Sequence, residues 1–327
     1  LFTFWFFLSL FLLSYSSLYS QKKILLDFLE KKIFLFFLFG FFLFFSFFLF
    51  YFGKNNYLAE INYQRFLQES ESNKRVSFLE RTVLFNPYNP IFHLTLSQEY
   101  VNLLYAEIKQ PEIKRERIGF LLDRVIKEEK KAIDISSANP FIWEGAGFIL
   151  RNLQVFVDGA LKEAQKSFQK ALELNPKNPV LYVELGKLAL NEEKIDEAKN
   201  YLEKGKGLNV FYWDLFLLEA RIMDAEGKTK EAISFVQNLS SQFPFNTDIL
   251  FELGRLYFNT NEIDLAIEQW KKVIELVPGH VNALYSLATA YQKKGDIATA
   301  ISFLERVLAE NSTLEKVRAE LEELKKK

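Results

Sequence analysis

Apolar positions along this chain follow two regimes. Up to residue 53 they form almost unbroken runs. Beyond it they recur with a fixed period. Residues 1–21 carry no charge, and neither do residues 33–53. The second run, IFLFFLFGFFLFFSFFLFYF from Ile33 to Phe52, has 12 Phe in 20 residues. As a helix rising ~1.5 Å per residue it is ~30 Å long, the depth of a bilayer's hydrocarbon core. A helix apolar on every side for that length has no place on the surface of a soluble domain. The pattern therefore predicts a transmembrane helix over 33–53 and another over 1–20. The latter lacks the basic start and small-residue cleavage site of a signal peptide.

The intervening stretch 21–32 holds Lys22, Lys23, Lys31 and Lys32 against Asp27 and Glu30, whereas only Lys54 and Arg65 follow closely after the second run. Because cytoplasmic loops concentrate Lys and Arg, 21–32 is expected to be a short cytoplasmic loop and everything after Gly53 to be extracytoplasmic. The opposite topology, with a cytoplasm-facing adaptor, is the alternative. The sequence starts at Leu1 inside an apolar run, which reads as the cut end of a longer polytopic protein.

From residue 179 the period is 34. Units start at Pro179, Trp213, Thr247 and Val281. Their fourth residues are Tyr182, Phe216, Leu250 and Leu284; their eighth are Gly186, Ala220, Gly254 and Ala288; their twentieth is Ala throughout, at 198, 232, 266 and 300. Large residues recur where helices interlock and small ones where two helices touch. Less regular copies lie upstream. The unit 140–178 has five extra residues near QVFVDG, 90–139 has 16 extra around KQPEIKRER, and 56–89 keeps the ending NPYNP, which parallels NPKNP at 175–179. Proline there stops one helix and seeds the next. The organisation predicted is degenerate repeats over 54–139, an array over 140–312 (units 140–178, 179–212, 213–246, 247–280 and 281–314), and a capping helix over 313–327 opened by Ser312 and Glu315.

This pattern resembles the tetratricopeptide repeat family, most closely through Leu250, Leu253, Gly254, Tyr257, Ala266, Trp270 and Pro278 of the unit 247–280. The resemblance implies an all-α fold, an α-solenoid of stacked helix pairs wound as a right-handed superhelix behind the N-terminal transmembrane helices. It also implies a concave groove lined by the first helix of each pair. Family groove positions carried over here are Asp214, Asp248 and Asn282 at the second place, Val183, Leu217, Phe251 and Tyr285 at the fifth, and Lys187, Arg221 and Arg255 at the ninth. An apolar ladder beside three cations would suit an extended peptide or protein partner with acidic groups. The alternative is that the cations pair on their own helices, Arg221 with Asp224 and Arg255 with Glu252. Apolar residues at the fifth place speak against the family's carboxylate-clamp subtype.

Composition narrows the chemistry. The 41 Lys plus Arg balance 42 Asp plus Glu for a net charge of -1, which argues against nucleic acid as partner. No Cys is present, so thiol chemistry and Cys-held metals are excluded, and the two His, His93 and His280, are far apart in sequence. Gly227-Lys228-Thr229 resembles the end of a phosphate loop, but Ile222 stands where the loop needs Gly. Gly145 and Gly147 follow no strand. The sequons at Asn238 and Asn311 are short enough to arise by chance. No catalytic, cofactor or metal site is expected. The reading is a membrane-anchored extracytoplasmic scaffold for protein–protein interaction in the cell envelope, with residues 1–53 in the bilayer of a bacterial-type inner or cytoplasmic membrane. A second reading is suggested by likeness in architecture to O-antigen ligase or polymerase-like membrane glycosyltransferases that end in such repeats. In that case the chain is an accessory region whose catalytic part lies upstream.

Overall fold

The computed structural model describes residues 9, 24–108, 114–208, 212–310 and 315–325. The expected first transmembrane helix, most of the Lys22–Lys23 side of the loop, and Ser312 of the capping box lie outside them. The described residues divide into two units, one ending at Leu58 and one from Ala59 onward.

In the first unit, helix α1 (Ile24–Gln68) is unbroken through the apolar run. This corrects two expected boundaries. Residues 24–32 are helical rather than loop, and the helix does not stop at 53 but continues into the second unit. The sequence between 24 and 68 holds no Pro, and its Gly40 and Gly53 are isolated, so nothing breaks the hydrogen-bond ladder. From Phe34, this is the one described helix long and apolar enough to cross a membrane, with mean hydropathy 2.4 in its most apolar window. Its Phe side chains at 36, 37, 44, 47 and 50 are all exposed.

The second unit is a run of helix pairs. The last turns of α1 pack with α2 (Ser72–Phe85). Then come α3 (Pro90–Glu107) with α4 (Arg115–Ile135), and α5 (Pro140–Asn152) with α6 (Ala160–Leu174). They are followed by α7 (Pro179–Asn191) with α8 (Ile195–Lys206), α9 (Trp213–Ala225) with α10 (Thr229–Gln242), α11 (Thr247–Asn259) with α12 (Ile263–Leu276), and α13 (Val281–Lys294) with α14 (Ile297–Glu310). Helix α15 (Glu315–Leu324) follows the last pair. Each pair touches its neighbours in sequence, which is the contact pattern of a solenoid.

Local chemistry sets the helix ends. Asn89, Asn139 and Asn178 accept a hydrogen bond from the amide two residues on, at 3.0, 3.1 and 3.0 Å, with Pro in the first helical turn. Asn is a favoured N-cap, and Pro at the first position gives up an amide that had no partner. Asn246 and His280 cap α11 and α13 in the same way. Between the helices of a pair, the fifteenth place of each unit is left-handed: Glu193, Gly227, Asn261 and Gly295 have φ of 60, 81, 65 and 83°. Gly159, with φ 79°, holds the same place once the five extra residues are allowed for. Gly227 is thus turn geometry, not part of a phosphate loop.

The extra residues also find a role. The 16 in the unit 90–139 lengthen both helices, to 18 residues in α3 and 21 in α4 against 13 and 14 in α11 and α12. Part of the five in the unit 140–178 forms the 3-10 turn Leu153–Val155. The core is a series of clusters, each shared between neighbouring helices. Ala198, Ala232, Ala266 and Ala300 are all fully buried, where only a methyl fits between the helices. At Gly147, Gly186 and Gly254 a Cβ would lie 2.5 Å from Phe168, Leu218 and Trp270 respectively, so the partner's bulk fills the space that glycine leaves. Val317, Leu321 and Leu324 of α15 are buried against the end of the stack.

Candidate functional site

The charged residues at the sixth, ninth and twelfth places of α5, α7, α9 and α11 fall on one face of consecutive first helices and are cross-linked between units. Glu252 of α11 is fully buried and takes both arginines. Arg221 donates from Nε and Nη2 to its Oε2 at 3.0 and 2.9 Å, and Arg255 donates from Nε and Nη2 to its Oε1 at 3.1 and 2.7 Å. Arg255 also donates from Nη1 to Asp224 Oδ2 at 2.8 Å, and Thr229 and Asn259 donate to the same carboxylate. Burial pushes the Glu252 carboxyl upward, but the charges of Arg221 and Arg255 outweigh it and hold the group below its ordinary value. Asp224 is lowered too, its burial being offset by Arg255 and Thr229.

This arrangement corrects the helix-local pairing expected for Arg221. It does not pair with Asp224 but reaches Glu252, 31 residues on, while Asp224 takes Arg255 from the next unit. Arg255 does pair with Glu252 as expected. Both cations are therefore partly used in locking α9 to α11.

The fifth place behaves differently from an exposed ladder. Val183 and Leu217 are 1% and 4% exposed and belong to the core, so they present nothing to a partner. Phe251 is half-buried, its ring 6.3 Å from Trp270 and 5.5 Å from His280. Tyr285 is 40% exposed and donates to Glu320 of α15 at 3.2 Å. Of the second-place residues, Asp248 and Asn282 are exposed and Asp214 is half-buried.

What the structure brings together is a cleft of about 180 Å³ over α5, α7 and α9, lined by Arg151, Glu184, Lys187 and Arg221 with the apolar wall of Leu161 and Leu188. Arg151 and Lys187 both bond Glu184, Lys187 at 3.1 Å. Three cations thus face one carboxylate within the lining. The volume suits one side chain rather than a drug-sized molecule, whose pockets start near ~300 Å³. Arg151 and Glu184 were not singled out from sequence. The available signal was an acidic residue at the sixth place three before a cation at the ninth, repeated in Glu184–Lys187 and Glu252–Arg255. A broader depression of about 770 Å³ along Glu193–Lys199 and Glu226–Lys228 has its lysines already paired, Lys194 with Glu192 and both Lys199 and Lys228 with Glu226. Among the described residues no group of His, Asp and Glu is placed to hold a metal ion.

Family models for tetratricopeptide repeats match residues 158–210, 254–295 and 282–313. The chain is 25% identical over 148 residues to protein O-mannosyl-transferase Tmtc3 of Drosophila melanogaster, covering 45% of this chain and 16% of that protein. It is 27% identical over 134 residues to interferon-induced protein with tetratricopeptide repeats 2 of Cricetulus griseus, covering 39% and 28%. The chain therefore spans well under half the length of these relatives. A crystal structure of a tetratricopeptide repeat protein from Parabacteroides merdae superposes with TM-score 0.63 at 18% identity, over 84% of this chain and 99% of that one, which establishes likeness of fold.

Proposed function

We propose that this chain, whose helix pairs are tetratricopeptide repeats, is a non-catalytic scaffold that holds an extended protein segment across the first helices of its pairs, and that α1 anchors it in a membrane with the repeats on the extracytoplasmic side. The observation that carries the binding reading is the cleft: Arg151, Lys187 and Arg221, from three successive first helices, line it with the carboxylate Glu184, which Arg151 and Lys187 share while Arg221 is held by Glu252. A partner segment running over α5, α7 and α9 places one acidic side chain there, charge-assisted by Lys187 and Arg151. The anchoring reading rests on the exposed Phe-rich length of α1, and the orientation on the excess of lysines between 21 and 32.

Binding of acidic and charge-neutralised versions of the same peptides to the purified full chain tests the groove. Acidic segments are expected to bind, and Lys187→Gln to weaken them severalfold, with only a small fall in unfolding midpoint because the buried Glu184 keeps Arg151 as its partner. Equal binding of both peptide sets removes the reading. A C-terminal reporter fusion tests topology, with an active extracytoplasmic reporter expected.

A second reading is favoured by the likeness to a protein named an O-mannosyl-transferase, of which the match covers 16%. In it the repeats are the accessory part of a larger membrane glycosyltransferase and position an acceptor or partner. Genomic sequence on the 5′ side encoding many further spans supports it, and a start codon at Leu1 removes it.

A further inference from the structure

The two edges of the repeat array differ in charge. The turns inside each pair all carry charged residues, such as Glu192, Glu193 and Lys194 in one and Glu226 and Lys228 in another. The junctions from one pair to the next are nearly charge-free: residues 86–89, 136–139, 175–178, 243–246 and 277–280 contain Lys177 alone. Around the first two junctions, large apolar side chains stand in the open, Tyr88 at 76%, Leu84 at 74% and Phe141 at 64% exposed, with Ile91 and Ile135 beside them.

These junctions are tied back to the helices that follow them. After each of the first three, the fourth residue of the following helix has a polar ring that reaches back six residues to a junction carbonyl. His93 Nε2 lies 2.9 Å from the Pro87 oxygen, and Trp143 Nε1 donates to Ser137 O at 2.7 Å. In the third junction Tyr182 donates to Pro176 O at 2.9 Å. His93 is itself fixed by Glu128, 2.6 Å from its Nδ1. Loop carbonyls that already have partners lose less on leaving water.

The array's first turns place its entry at this same edge. Thr82, near the end of α2, donates to the Ala59 carbonyl at 3.5 Å, while Arg75, near its start, donates to the Phe66 carbonyl. Ala59 therefore lies at the end of the first pair from which the 86–89 junction leaves. In sequence only residues 53–58 separate Ala59 from Phe52, and seven links of chain reach at most ~25 Å however they are arranged.

We propose that the first two junctions, through Leu84, Tyr88, Ile91, Ile135 and Phe141, form a contact surface for the lipid headgroup interface. Exposed aromatics and aliphatics set on charge-free junctions suit that zone, where Tyr sits with its ring in the apolar boundary and its hydroxyl in water. The proposal rests on the anchoring reading, because it is the short tether after Phe52 that keeps a bilayer within reach. The turns at the opposite edge carry charges that a polar protein partner would meet, whereas residues 86–89 and 136–139 carry none.

Because the chain has no Cys, single labels are unambiguous. Full-length Tyr88→Cys, Phe141→Cys, Glu193→Cys and Phe44→Cys proteins, each carrying an environment-sensitive nitrobenzoxadiazole dye, are reconstituted into phosphatidylcholine–phosphatidylglycerol vesicles. Quenching is read with nitroxide-bearing lipid and with aqueous iodide. Labels at 88 and 141 are expected to be quenched several-fold more by nitroxide lipid than the label at 193 and to be shielded from iodide. If 88 and 141 meet iodide as freely as 193 while 44 stays lipid-quenched, the surface proposal is overturned and the anchor stands. If 44 meets iodide while 88 and 141 are lipid-quenched, the anchor fails and the surface stands. Labels at 88 and 141 shielded from iodide without nitroxide quenching mean that protein covers the edge, which also overturns the proposal.

Discussion

Two buried glutamates set opposite pH dependences. Glu252, held between Arg221 and Arg255, has its carboxyl lowered, so it contributes stability that is full above the ordinary carboxylate value and is lost as pH falls below it and through the lowered one. Replacing it with Gln leaves Arg221 without its carboxylate and Arg255 with Asp224 alone; both guanidiniums are about a third exposed, so the cost falls below the ~3–5 kcal/mol of a fully buried pair. The expected outcome is a fall in unfolding midpoint at pH 7 that shrinks in acid. Glu129 is the converse. It is buried on α4, and burial, together with Asp134 and Glu163, raises it to about 7. In the folded state it keeps its proton where the unfolded chain has lost it, so stability falls as pH rises from ~4.5 to about 7 and is level beyond. Glu129→Gln is expected to raise the urea midpoint at pH 8 and to leave it nearly unchanged at pH 4.5. A midpoint gain equal at both values contradicts the raised carboxyl.

At the scale of elements, the stack depends on where side chains are missing and where the backbone turns. Gly254→Ala brings a methyl to 2.5 Å from the Trp270 indole. Alanine's better helix propensity, worth ~1 kcal/mol, is opposed by overpacking of ~1–3 kcal/mol, so a net loss is expected in thermal unfolding. Glu193 is the reverse case. It stands at φ 60° where the neighbouring units use Gly159 and Gly227. A left-handed non-glycine residue costs ~1–2 kcal/mol, so Glu193→Gly is expected to stabilise the α7–α8 pair, by somewhat less than that because glycine loses more entropy on folding. Denaturant titration reads the sign directly.

For the whole array, stability is a sum of neighbour contacts. Truncation at Glu310 removes Val317, Leu321 and Leu324 from the apolar end of the stack. Amide exchange is expected to quicken first in α13 and α14, with α5 and α6 unchanged. A uniform loss of protection would mean that the array melts as one cooperative block rather than from its end.

The sequence by itself determined the repeat. A 34-residue period in small and large residues survives because each helix contact demands its own size at its own place, and helices do begin at Pro90, Pro140, Pro179, Trp213, Thr247 and Val281. It also set the apolar helix, whose composition leaves no other face to hide. The pairing of charges was not legible. Spacing of three or four residues suggests neighbours on one helix, yet Arg221 and Arg255 are cross-linked by Glu252 and Asp224 across units 31 residues apart. Nor was the fate of Val183 and Leu217, which share a repeat position with the exposed Tyr285 but lie in the core. Periodicity fixes which side of a helix a residue occupies. How far the next pair overlaps that side, and so whether the residue meets solvent, a partner or a neighbouring helix, is decided only when the pairs are stacked.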